Sequence, residues 1–168
     1  MPDGLVPILT IEVDIRCSDW LALLPDAEAL CRRAAFAVWT AVAMNGAVEV
    51  SLVLADDNLI QDLNCRYRNE NAPTDVLSFA GGDAEPVLHG MPRLLGDVVV
   101  AFGAAAGDAE LAGVGLGNHL SHLIVHGMLH LLGHDHEKDF EAERMERLEI
   151  DILSTLGIAD PYAVRVER

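Results

Sequence analysis

A chain of 168 residues, 51% of them hydrophobic, has the material for one domain with a real core and needs no disulfide or metal merely to fold. Its formal net charge of −16 argues against a generic nucleic-acid binder, because affinity for phosphate backbones comes from lysine and arginine displacing counterions; a local basic cleft built from Arg32, Arg33, Arg66, Arg68 and Arg93 stays open. Cys17, Cys31 and Cys65 are odd in number and never spaced C-x-x-C, so neither a disulfide framework nor a thiolate metal site is expected, only reduced and mostly buried thiols.

The N-terminus carries Asp3 where a secretory signal places lysine or arginine, which predicts a cytoplasmic protein. Residues Ile8 to Ile15 alternate apolar with polar and predict a strand with one solvated face. Pro25 and Asp26 open an Ala/Leu-rich helix to about Met44, with Asp26 as N-cap and Asn45-Gly46 as the stop. Its apolar run from Ala34 to Met44 is far shorter than the roughly 20 residues a membrane span needs, and is read as part of a buried helix. Val48 to Ala55 is a second strand, and Asp56 is placed to cap a short helix through roughly Arg66.

After the turn at Asn71-Ala72-Pro73, Val76 to Ala80 and Gly96 to Phe102 predict two neighbouring strands. Gly103 to Gly117 mixes glycine with alanine and carries only a weak helical signal. Asn118 to Leu132 is a strong helix, with Asn118 as N-cap and Gly133 as terminator. A last amphipathic helix from about Asp139 to Leu156 places Met145, Leu148, Ile152 and Leu156 on its apolar face and its acidic side in solvent. This order predicts an α+β fold: one domain over residues 1–168, a small mixed sheet of about four strands with packed helices, and a helix-turn bearing a metal near the C-terminal third.

Six of the seven histidines fall within 118–136, NHLSHLIVHGMLHLLGHDH. Residues four apart share a helix side, so His126 and His130 can offer two imidazoles to one ion; Gly133 then permits a reversal that brings His136 to it. Three neutral imidazoles leave zinc its double charge and an open fourth position, which suits catalysis: such an ion acidifies water or polarises a phosphoryl oxygen. Nickel and copper also accept imidazoles, so zinc rests on typical use. His119 and His122 continue the stripe and are expected to face solvent, with lining of the cleft as a second role for His122. His134 is the rival third ligand, but it directly follows Gly133 with little room to turn back, and is read as cleft-lining. Asp135 either orients a ligand imidazole or caps the last helix.

The spacing matches the metzincin proteases, H-E-x-x-H-x-x-G-x-x-H, except that position 127 is glycine where a protease carries its general base. HGMLHLLGHDH resembles instead the signature of the YbeY family, H-G-x-L-H-L-x-G-x-D-H. Asn64 with Tyr67-Arg68, the run PTDVLSF at 73–79, Leu95-Gly96-Asp97-Val98, and a tail with Met145, Glu149, Leu156-Gly157 and Asp160-Pro161-Tyr162 extend the resemblance over roughly 45–162. Ala80 and His134 depart from the proline and the aromatic residue common in the family.

The resemblance implies a zinc-dependent, single-strand-specific endoribonuclease in ribosomal RNA maturation, notably at the 3' end of the small-subunit RNA, and in ribosome quality control. It carries the zinc ligands onto His126, His130 and His136 and a functional arginine onto Arg68, whose plain alternative is a surface ion pair. The implied partners are single-stranded ribosomal RNA, the ribosome or small-subunit proteins, and an assembly GTPase, with no DNA and no membrane. No motif residue is an obvious general base; metal-bound hydroxide, the 2'-hydroxyl of RNA and His134 all remain open. Two other functions fit: a metal-stabilised ribosome assembly factor without nuclease activity, favoured by the acidic charge, and a hydrolase of small amides or esters, weakened by the absent glutamate.

Overall fold

Successive side chains of a strand point to opposite faces, and residues 47–55 use both. Val48, Val50, Leu52 and Leu54 enter one core, while Val53 and Ala55 face a second. The computed structural model describes residues 8–42, 46–81, 91–134 and 138–163. Its strands are β1 (Ile8–Ile15), β2 (Ala47–Ala55), β3 (Val76–Ala80) and β4 (Arg93–Ala101), and its helices α1 (Asp19–Leu23), α2 (Ala27–Ala41), α3 (Asp57–Arg68), α4 (Phe102–Ala112), α5 (Leu116–Leu131) and α6 (Asp139–Thr155).

The four strands form one mixed sheet in the order β1-β2-β4-β3, with β1-β2 and β2-β4 parallel and β3-β4 antiparallel. Helices α2 and α5 pack on one face over the main core, joined by α6, while α3 covers Leu77, Val99 and Ala101 on the other. The architecture is the expected α+β arrangement of helices on a four-stranded mixed sheet. Among the described residues no helix is long and apolar enough to cross a membrane.

Several boundaries moved for identifiable reasons. Helix α1 lay outside the expected elements; five residues are too few to show periodicity, but it buries Trp20 completely, with the indole N–H donating to Ala55 O at 3.0 Å. In α2, Asp26 is the N-cap residue without a side-chain cap bond, and the helix ends at Ala41; Met44 and Asn45 lie outside the described residues. Its apolar run is only partly buried: Ala34, Ala35 and Val38 enter the core, whereas Phe36 is exposed beside Trp39. Asp56 caps α3 as expected, accepting from Leu59 N at 2.8 Å, but the helix continues to Arg68 and stops where Asn69 turns left-handed.

Residues 103–117 are not one weak helix. Gly113, at φ +69, closes α4, and α5 starts at Leu116 with Gly115 as its N-cap, so Asn118 sits inside the first turn and is not the N-cap. The amide of Ala104 at the start of α4 finds its acceptor on another helix, in Asp57 Oδ1 at 3.0 Å.

Of the thiols, Cys31 is buried, Cys17 half-buried and Cys65 exposed, which corrects the expectation of general burial for Cys65. Burial pushes the Cys31 thiol up to about 12. Under native conditions an aromatic disulfide reagent at pH 8 is therefore expected to label Cys65 promptly and Cys31 only after denaturant is added. Equal labelling rates for the two would contradict this packing.

Candidate metal centre

Two histidines of the stripe on α5, His122 and His126, meet a buried carboxylate. His126 Nε2 and His130 Nε2 lie 3.1 Å apart. Two nitrogens bound to one tetrahedral zinc at 2.0–2.1 Å would be separated by about 3.3 Å, so this hydrogen-bonded pair is also close to the spacing of ligands to a shared ion. His126 Nδ1 donates to Glu149 Oε1 at 2.6 Å, which fixes the tautomer with the lone pair on Nε2, the atom that faces His130. The other oxygen, Oε2, is 2.9 Å from His122 Nε2 and accepts from the Tyr162 hydroxyl at 2.5 Å.

Glu149 is 1% exposed. Burial pushes its carboxyl up, but the hydrogen bonds from His122, His126 and Tyr162, together with the charge of His126, outweigh burial and hold it at about 2. Burial and then the Glu149 carboxylate push the Tyr162 hydroxyl up, keeping it a donor. Two expectations are thereby corrected. The acidic side of α6 is not wholly solvated, because Glu149 points inward, and His122 does not face solvent, because it shares that carboxylate.

A cleft of about 530 Å³ opens on the imidazole pair, lined among others by Arg68, Thr74, Asp75, Ser78, His126 and His130. Arg68 donates through Nη2 to Ser78 O at 3.1 Å, which steers its guanidinium along the cleft. Ser78 Oγ donates to Gly127 O at 3.0 Å and so ties β3 to α5 beside the first imidazole. The five arginines do not converge: Arg32 pairs with Glu28 and Arg66 with Asp62, and among the described residues Arg68 is the one arginine lining this cleft.

Gly127 sits where α5 comes closest to the sheet. A Cβ there would lie 2.6 Å from Val98 Cγ1 and 3.0 Å from Ser78 Oγ. The position that holds glutamate in a metzincin therefore accepts a side chain in this fold only if Val98 or the helix shifts.

A second group of candidate ligands lies two helical turns earlier. Asp75 immediately before β3, Asp108 from α4 and His119 from α5 each bring one ligand atom to within 4.8 Å of the others, a set able to hold a metal ion. Burial, and then a hydrogen bond to Asp108, push the Asp75 carboxyl up; burial and the neighbouring His122 pull the His119 imidazole down. His119 is half-buried and its Nε2 sealed, so the expectation of a solvent-facing ring is also corrected there.

Gly133, at φ +93, ends α5 as expected. His134 follows half-buried, its backbone amide donating to Leu129 O at 3.0 Å, and it is absent from the residues lining the cleft. His136 and Asp135 lie outside the described residues.

Glu149, Tyr162, Asp75, Asp108 and Ser78 carry no ligand spacing of their own. Glu149 did leave a signal: it stands four residues after Met145 and three before Ile152, on the apolar face of α6, where a carboxylate needs a partner.

The family model described as endoribonuclease YbeY matches residues 18–157. The chain belongs to the YbeY family. A Paramagnetospirillum magneticum protein named endoribonuclease YbeY is 52% identical over 157 residues, covering 92% of this chain and 96% of its own. One of the same name from Rhodospirillum rubrum is 45% identical over 162 residues, covering 91% and 81%. A Thermotoga maritima protein solved in solution matches at TM-score 0.52 and 20% identity over 96% of this chain and 99% of its own, a likeness of fold. The YbeY match takes in Arg68, Asp75, His126, His130 and Glu149, while Tyr162 lies just beyond it.

Proposed function

We propose that this chain is a zinc-dependent endoribonuclease that cuts single-stranded RNA, acting on ribosomal RNA near the 3' end of the small-subunit molecule and in ribosome quality control in the cytoplasm. The observation that carries the reading is the 3.1 Å approach of His126 Nε2 and His130 Nε2 in a cleft shared with Arg68. The donor set fits zinc: two converging imidazoles, one with its tautomer fixed by a buried carboxylate, with His136 proposed as the third ligand. When bound, the ion supplies Lewis acidity against the charge on a phosphoryl oxygen.

The rest is done by the chain. Arg68 presents a planar fork of donors matched to phosphate oxygens, and the Ser78 carbonyl, by taking one N–H, sets the direction of the others. Glu149 holds His126 in one tautomer and orientation, and Tyr162 satisfies the carboxylate oxygen that faces His122. Glu149 acts through the ligand, so its variant tests position. Glu149→Gln is expected to weaken zinc binding about 10- to 100-fold in competition with a chromophoric chelator. An unchanged zinc affinity would remove Glu149 from this role.

One observation favours the alternative of a metal-stabilised ribosome assembly factor. With Arg32 and Arg66 paired and the net charge at −16, the surface suits basic ribosomal proteins, or an assembly GTPase docking beside them, better than naked RNA. The deciding experiment offers the purified full chain single-stranded RNA, duplex RNA, peptides and esters, before and after chelation. The nuclease reading expects cleavage of single-stranded RNA that is lost with the metal and restored by zinc. Intact RNA in both states, with a melting temperature that still depends on metal, would select the assembly factor; turnover of esters or peptides alone would select another hydrolase.

A further inference from the structure

We propose that Asp75, Asp108 and His119 form a second divalent-cation site, separate from the His126–His130 pair, that takes an ion of the manganese type. Their three ligand atoms lie within 4.8 Å of one another. Ligands around one cation at 2.0–2.6 Å are separated by at most about 4–5 Å, so a single ion can touch all three. Two carboxylate oxygens with one imidazole suit a manganese-like cation better than a thiol-seeking one.

A second observation points the same way. His119 Nε2 is sealed from solvent and has no hydrogen-bond partner among the described residues, an unfavourable arrangement unless something fills it. The site is distinct: His119 precedes His126 by seven residues, about 10 Å along the helix axis. It is also adjacent, because Asp75 lines the same cleft as His126 and His130.

The placement has an electrostatic consequence. In a chain of net charge −16, a carboxylate on the cleft wall repels a polyanion, and a dication held there reverses the sign at that point. This consequence for a nucleic-acid substrate rests on the nuclease reading above; occupancy of the site does not.

The test uses the full chain loaded with zinc and titrated with Mn2+, following the loss of the free-ion signal by electron paramagnetic resonance. One equivalent of Mn2+ beyond the zinc is expected. Asp108→Asn, at an exposed position, and His119→Gln are each expected to weaken that uptake at least about tenfold while the zinc content stays constant. His130→Ala is expected to lose the zinc and keep the Mn2+ equivalent, which separates failure of this site from failure of the histidine site. No Mn2+ uptake by the parent chain, or uptake by Asp108→Asn and His119→Gln equal to that of the parent, would overturn the proposal.

Discussion

Replacing His130 with alanine is expected to strip the protein of stoichiometric zinc and to lower cleavage of single-stranded RNA by more than about a hundredfold. The magnitude follows from position: loss of a residue that merely orients a ligand costs about 10- to 100-fold in metal affinity or activity, and His130 Nε2 is itself one of the two nitrogens placed for the ion. The side chain is half-buried in the last turn of α5, and shortening it leaves the packing of Met128, Leu129 and Leu131 in place. The variant should therefore remain folded while losing the increment of stability that a bound ion gives, about 4 kcal/mol when free metal is a thousandfold above its dissociation constant. Elemental analysis and an RNA gel on the same preparation check both halves. Retained zinc together with undiminished cleavage would sink the assignment of this helix as the metal holder.

Gly127→Glu, the change that would complete a metzincin motif, is expected to abolish soluble folded protein instead of creating a protease. The new Cβ would meet Val98 Cγ1 at 2.6 Å, and Val98 is a stiff, fully buried residue of the central strand β4. Overpacking of this kind costs about 1–3 kcal/mol, and a carboxylate forced between helix and sheet adds the penalty of an unpaired buried charge. Together these approach the whole stability of an ordinary domain, about 5–15 kcal/mol. Gly127→Ala isolates the steric part: alanine gains about 1 kcal/mol of helix propensity, so a net loss of up to about 2 kcal/mol is expected. Urea denaturation of that variant measures it, and a variant more stable than the parent by the full propensity gain would show that the helix does not need to lie so close.

Much of this was legible in the residues because the responsible physics is local. The alternation in residues 8–15 and the cap at Asp56 reappear as β1 and the start of α3, and Gly133 ends α5 with the positive φ that only glycine adopts freely. The convergence of His126 and His130 follows from helical spacing alone. What stayed hidden depends on contacts between distant segments. His119 and His122 read as a polar helix face because nothing near them in the chain announces that Glu149, 27 residues past His122, will be turned inward against it. Asp75 and Asp108 become neighbours only after β3 pairs with β4 and α4 packs on α5. The five arginines share a sign but not a location, and charge counting cannot distribute them over a surface.

One carboxylate bonded at both oxygens to the same helix has a thermodynamic corollary. Because Glu149 belongs to α6 while both imidazoles it serves belong to α5, ion retention and seating of the C-terminal helix are one equilibrium seen from two ends. Whatever pries α6 loose frees His126 to rotate and loosens the ion's hold, and whatever fills the ion site clamps the C-terminal segment down by the same free energy.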